Sequence, residues 1–383
     1  MNYNMMDVLL LPPAPDNPRN SEGAFTQLSS GRLIYVYSRY SGDSWNDHAQ
    51  ADLALRYSDD RGRTWSHRDR IILSRGDAMN LMSVSLLRLA SGRLLLFHCK
   101  KVLSPDGCVN CLLCVSVSDD EAETWSPSRC ISSSEGYNVI HNDRAIRLSE
   151  GRIILPVSYH RHTSDREPDS HGFVIIFYSD DEGETFREVP SWILPPQHSS
   201  NGFQEPGVIE LRDGRLMCWA RTDMGCQYLA YSTDKGMTWS EPCQSNFLSP
   251  LSPMSIKRNP VTGTLVAVWN DLSSRWGFPP PRYVSPGWGE GSSGGRTPLV
   301  MAESFDEAKT WCNHRLLESD RNLGFCYTSM FFVGNTLLLA YCCGGENNTI
   351  MLQRSKIRLL EPIDESSTET TKVEKKRKPL SVG

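Results

Sequence analysis

Side chains able to do chemistry collect at the ends of apolar runs. In Gln204–Arg221 (QEPGVIELRDGRLMCWAR) a glutamate precedes one apolar stretch and an arginine closes the next. A carboxylate so placed serves as a base or is simply solvated, while a guanidinium offers two parallel charge-assisted bonds to a planar anion. In Ile140–Leu148 (IHNDRAIRL) four polar residues, His141, Asn142, Asp143 and Arg144, lead into a strand, which suits either the mouth of a site or a hydrogen-bonded edge turn. Tyr327 stands in GFCYTSM, Gly324–Met330. A phenol with a free pKa of about 10 attacks carbon only if a base takes its proton, and otherwise serves as core or rim. Cys108, Cys111 and Cys114 have CxxCxxC spacing, but Cys111–Val117 reads as a strand. Alternation sends Cys111 and Cys114 to opposite faces, so no metal is expected there.

The elements that must hold these residues repeat. Ser-x-Asp-x-Gly-x-Thr-Trp occurs within Tyr57–Trp65 (YSDDRGRTW) and returns at Ser118–Trp125, Ser179–Phe186, Ser232–Trp239 and Ser304–Trp311. Asp at the third position bonds its own backbone, Gly at the fifth accepts a positive φ, and the closing aromatic packs beneath the turn. Ala122 and Ala308 replace the glycine in two copies, so those turns must be slightly different. Between the boxes run hairpins: Leu28–Arg39, Leu89–His98, Leu148–Tyr159, Leu211–Arg221, Asn259–Trp269 and Phe332–Tyr341, with turn glycines at 31, 92, 151, 214, 263 and 334. Short strands at this repeat predict an all-β chain, a six-bladed β-propeller of four-stranded antiparallel blades over residues 1–360. The last hairpin has no box after it, so the final blade is expected to borrow a strand from Asp7–Leu11.

Composition narrows the function. A net charge of −5 implies no general attraction to nucleic acid or anionic membrane. No apolar run is long enough to span a bilayer. The N-terminus lacks a basic region and its apolar run is only Val8–Leu11. A cytoplasmic chain with its twelve cysteines reduced is therefore expected. Asp271–Arg296, rich in Gly, Pro and Ser, reads as a long loop, and residues 361–383 as a disordered polar tail. Lys375–Lys378 in that tail reads as a solvated run ahead of a nuclear signal or anion patch.

Five boxes on six units resemble the sialidase (neuraminidase) superfamily, over roughly Arg19–Gly345. The resemblance implies roles. Gln204–Arg221 is similar to the segment holding the nucleophile's partner and a substrate-binding arginine, which nominates Glu205 and Arg221. GFCYTSM is similar to the segment of the nucleophile, which nominates Tyr327. Arg296, 31 residues earlier, falls where the family has its third carboxylate-binding arginine. Arg19, in PRNSEGAF, takes the place of an Arg-Ile-Pro segment but lacks the Ile-Pro, with Glu22 close behind. NDHAQADL resembles the loop of the acid/base, nominating Asp47 with Asp43 as fallback and Arg39 as a lining residue. Asn142 and Arg144 are further candidates for substrate binding.

The implied substrate carries a carboxylate on its anomeric carbon. Three arginines on separate blades would grip it, and a neutral Tyr would attack where an anionic carboxylate would be repelled. Glu205 would take the phenol proton, and Asp47 would protonate the leaving oxygen and then activate water, with retention and without metal or other cofactor. The expected partner is a sialylated glycan. Alternatives are a glycosidase for a related 2-keto-3-deoxy acid, its partner another acidic-sugar glycoside, and a non-catalytic glycan-binding propeller. A purely structural cluster would pair each arginine with its own carboxylate.

Overall fold

The computed structural model describes residues 2–132, 136–277, 296–344 and 352–363. Most of the expected long loop and all of the tail beyond Ile363 lie outside these residues. Among the described residues there are twenty-five strands and a single 3-10 turn, Ser274–Trp276.

The strands fall into six antiparallel groups in chain order. The first is Asn20–Gln27, Leu33–Tyr40, Ala51–Ser58 and Arg70–Leu73; the second is Asn80–Arg88, Leu94–Leu103, Val109–Ser118 and Arg129–Cys130. The third has a split opening strand, Tyr137–Val139 and Ile146–Arg147, followed by Ile153–His162, Pro168–Ser179 and Arg187–Glu188. The fourth is Gln204–Glu210, Leu216–Arg221, Cys226–Ser232 and Cys243–Leu248; the fifth is Ser255–Arg258, Leu265–Asn270, Leu299–Ser304 and Cys312–Glu318. The sixth joins Phe325–Val333, Thr336–Cys343 and Arg354–Ile363 to the N-terminal strand Asn2–Leu11, paired from Asn2 opposite Ile363 to Leu11 opposite Ser355 with one register shift between Asp7 and Leu9. The expected loan from the N-terminus is thus present and longer than Asp7–Leu11, and the last strand passes residue 360. Single parallel pairings, Ala51 with Asn80 and Cys111 with Tyr137, join the first three groups into one sheet.

All six hairpin glycines take positive φ, from 62° to 110°. In each box the Asp accepts from the Thr backbone and hydroxyl; for Asp181 these bonds from Thr185 are 2.9 and 2.5 Å. Ala122 and Ala308 keep φ at 65°, against 86–90° for Gly62, Gly183 and Gly236, so the alanine copies form the same turn with a smaller rotation.

The core lies between consecutive groups. Phe97 and Leu113 meet Leu155 and Ile175; Ile154 and Ile176 meet Leu216 and Ala230; Met217 and Trp219 meet Leu265 and Val300. Val268 and Met301 meet Leu337 and Leu339, and Leu338 and Ile357 meet Leu33 and Trp65, which brings the last group against the first. The opening strands also touch in series: Asn20–Gln27 lies against both Asn80–Arg88 and Phe325–Val333, and Gln204–Glu210 against Ser255–Arg258.

Candidate active site

Four opening strands share a break in register: between Ser21 and Ala24, Met82 and Ser85, Gln204 and Gly207, and Cys326 and Ser329. Each break holds one non-glycine residue at positive φ: Glu22 (56°), Ser83 (60°), Glu205 (48°) and Tyr327 (58°). Asp143 (60°) does the same in the split strand of the third group. Bulges of this kind re-aim a side chain, and left-handed φ at a non-glycine residue costs of order 1–3 kcal/mol. Five such residues put polar groups where the opening strands meet.

Two sets of charged side chains form there. In the first, Arg19 is fully buried and donates from Nε to Ser21 Oγ (2.9 Å), from Nη2 to Glu22 Oε1 (2.6 Å) and from Nη1 to Asp47 Oδ1. Its guanidinium carbon lies 4.6 Å from the Tyr40 ring centre. Partial withdrawal from water works against charge on Asp47, whose side chain keeps 49% exposure, but Arg19 and Lys101 outweigh it and hold the carboxyl well below the usual range. Burial pushes Glu22 the other way, above it. Ser83 Oγ donates to Glu22 Oε2.

In the second set, Arg221 Nη1 lies 2.6 Å from Glu205 Oε2. Arg296 sits over Tyr327, 5.3 Å from the ring centre, and donates to Leu251 O at 3.3 Å. Among the described residues no carboxylate pairs with Arg296, and its Nη1 is buried without a partner. Burial and the nearby Glu205 push the Tyr327 phenol well above its ordinary value, more than Arg296 and Arg221 pull it down. His141 lies on Tyr327, with ring centres 4.9 Å apart. Burial and the cations Arg144, Arg221 and Arg296 keep that imidazole neutral.

The structure therefore brings Glu205, Arg221, Arg296 and Tyr327 together, and Arg19 with Asp47. Of the three arginines two have carboxylate partners, and both pairs include a carboxylate nominated for catalysis. Arg39 is a correction. It donates to Asp69 at 3.0 Å, beside Arg56 and Tyr37. Strand alternation turns it away from Tyr40, which faces Arg19.

Asn142 and Arg144 are a second correction, because both are buried struts beneath the site. Asn142 Nδ2 bonds Gly23 O (3.0 Å) and Tyr327 O (3.2 Å), and Arg144 bonds Ser255 Oγ (2.9 Å) and Met254 O (2.7 Å). Asp143 completes the cross-link, accepting from Lys257 Nζ at 2.8 Å and Met330 N at 2.9 Å. The segment is neither a mouth nor an edge turn. Sequence reading missed Ser83, Lys101 and the contact of His141 with Tyr327; only the irregular polar run HNDR hinted at the last. Cys111 lies opposite Lys101, while Cys114 Sγ is 2.7 Å from Cys130 Sγ, as strand alternation requires.

An all-β frame thus gathers arginines, three carboxylates and a phenol at its strand junction. Residues 49–339 match the family described as a BNR repeat-like domain. The chain belongs to that family, in the sialidase superfamily. It is 28% identical over 252 residues to a sialidase of Clostridium perfringens, covering 58% of this chain and 62% of that protein. It thus spans under two thirds of that relative's length. A Dyadobacter fermentans protein of unknown function shares the fold at 19% identity and TM-score 0.70, covering 94% of this chain and 99% of that one. The NanB sialidase of Streptococcus pneumoniae does so at 13% identity and TM-score 0.68, covering 93% and 70%.

Proposed function

We propose that the protein is an exo-α-sialidase, releasing terminal sialic acid from glycans with retention. The observation that carries this reading is the guanidinium of Arg296 over the Tyr327 ring, without a carboxylate partner among the described residues, with the Glu205–Arg221 pair acting on the same phenol. The six strand groups, each packed on the next and the last on the first, support the finer architecture, a six-bladed propeller with the site at its axis.

In this mechanism Arg221 and Arg296 bind the substrate carboxylate, and Arg19 joins them as Asp47 turns toward the leaving oxygen. Tyr327 stays neutral until its oxygen meets the anomeric carbon, whereupon Glu205 takes the proton. As Arg19 moves to the substrate carboxylate, Asp47 takes up a proton and gives it to the departing oxygen; it then draws one from the attacking water while Glu205 returns its proton to the Tyr327 oxygen as the sugar–tyrosine bond breaks. Cytoplasmic location and a single body over residues 1–360 remain part of this proposal.

A second reading, a related 2-keto-3-deoxy acid as the sugar, draws on the absence of Ile-Pro after Arg19 and on the engagement of that arginine by Ser21, Glu22 and Asp47. The test is turnover of a fluorogenic sialoside by wild type and Tyr327→Phe. Release by the wild type alone supports the sialidase. Saturable binding without release supports a lectin, and release only from another acidic glycoside supports the second reading.

A further inference from the structure

Asp47 is held from the neighbouring strand group by two side chains that no motif marks. Its loop links Leu33–Tyr40 to Ala51–Ser58. The Asp47 carbonyl accepts from Lys101 Nζ and from Asn80 Nδ2, both at 2.8 Å. The same amide reaches Ala49 O at 2.8 Å. Asn80 and Lys101 stand directly opposite each other on the first two strands of the second group, so one ladder rung presents both.

Lys101 is only 3% exposed. Its ammonium lies 5.4 Å from the Tyr137 ring centre, and among the described residues no carboxylate forms an ion pair with it. Burying a cation without an ion-pair partner costs several kcal/mol, whereas a methionine there would cost nothing of the kind. The neighbouring Lys100 shows the cheaper choice, being half-buried on the opposite face. The ammonium of Lys101 instead grips the peptide of Asp47 and sets a positive charge behind a carboxylate whose front is held by Arg19.

We propose that Lys101, seconded by Asn80, is the positioning residue for the acid/base carboxylate: through the Asp47 carbonyl it fixes the loop so that Asp47 meets the leaving oxygen. This rests on the reading of Asp47 as acid/base. The groups facing Asp47 are Arg19, Glu22 and Tyr40 from its own strand group, His48 beside it in the loop, Lys101 from the next group and Tyr137 from the third. Partial desolvation disfavours the charge of the half-exposed Asp47 while Arg19 and Lys101 favour it, so loss of Lys101 leaves the carboxyl protonated to higher pH.

The test compares Lys101→Met with wild type on an alkyl sialoside, whose poor leaving group needs the acid, and on an aryl sialoside, whose leaving group hardly does. The alkyl kcat/KM should fall about tenfold to a hundredfold, at or below the 10²–10⁴ of general acid catalysis itself, and the aryl value less than about threefold. Two readouts do not need turnover. Amides of residues 45–49 should exchange about tenfold faster, and the Asp47 carboxyl carbon should titrate at higher pH. Asn80→Ser, which keeps every charge, should speed exchange without moving that titration, and serves if Lys101→Met does not fold. Equal losses on both substrates, or an unmoved loop and an unmoved Asp47 titration, overturn the proposal. A wild type inert on both sialosides would instead sink the sialidase reading, while exchange and titration would still decide whether Lys101 anchors the loop.

Discussion

Glu205 and Arg221 form a 2.6 Å ion pair across one hairpin, with Gln204 directly opposite Arg221 in the strand register. The bulge at Glu205 is what lets adjacent rungs aim a carboxylate and a guanidinium at one point. Glu205→Gln should keep a hydrogen bond to Arg221 but lose the base. We expect kcat to fall about 10²–10⁴-fold and stability by about 1–3 kcal/mol, checked by steady-state kinetics and a urea melt.

Tyr327→Phe removes the attacking oxygen and leaves the ring between His141 and Arg296. Turnover should drop by more than about a thousandfold, with a melting temperature near that of the wild type. Substantial residual turnover through the same site would exclude Tyr327 as nucleophile.

Arg296→Lys keeps a positive charge but loses the planar fork. Since Arg296 has no carboxylate partner among the described residues, the loss should fall on the substrate anion, raising KM about tenfold or more with the fold intact. A ligand-free melt and saturation kinetics separate the two effects.

Gly207→Ala tests the bulge. A Cβ there would stand 2.2 Å from the Trp219 ring, whose Nε1 is tied to Met254 O at 2.8 Å. The strand must shift, at about 1–3 kcal/mol, and Glu205 with it, so stability and kcat should fall together.

The box aspartates predict acid sensitivity. Hydrogen bonds from Thr185 lead those that lower Asp181 to about 2, and bonds from Thr124 and Thr310 likewise lower Asp120 and Asp306 to about 2. A depressed carboxyl stabilises the fold fully above its unfolded pKa of about 3.9 and loses that contribution as pH falls toward 2. The melting temperature should therefore drop between about pH 4 and 2. Asp181→Asn should flatten that slope slightly, because these side chains are exposed and solvent weakens each contribution.

The hairpins and boxes were legible because their determinants are local: a glycine that accepts positive φ, and an aspartate that bonds the backbone four residues on. Closure by the N-terminus could be read from one missing strand. Arg39 was misassigned because nearness in sequence to Asp47 was weighed above the period of a strand. Asn142 and Arg144 were misassigned because a polar run says nothing about which protein acceptors will claim it.

What the sequence alone determined is the repeat, the strand content and which chemically capable side chains end its apolar runs. Only the tertiary structure decided that Glu22, Ser83, Asp143, Glu205 and Tyr327 adopt left-handed backbone angles where the opening strands meet. Little local preference favours those angles in Glu, Ser or Tyr, so packing of the opening strands against one another must impose them there. For the same reason Lys101, one of two adjacent lysines in its strand, acquires meaning only when the preceding group's loop lies within its reach.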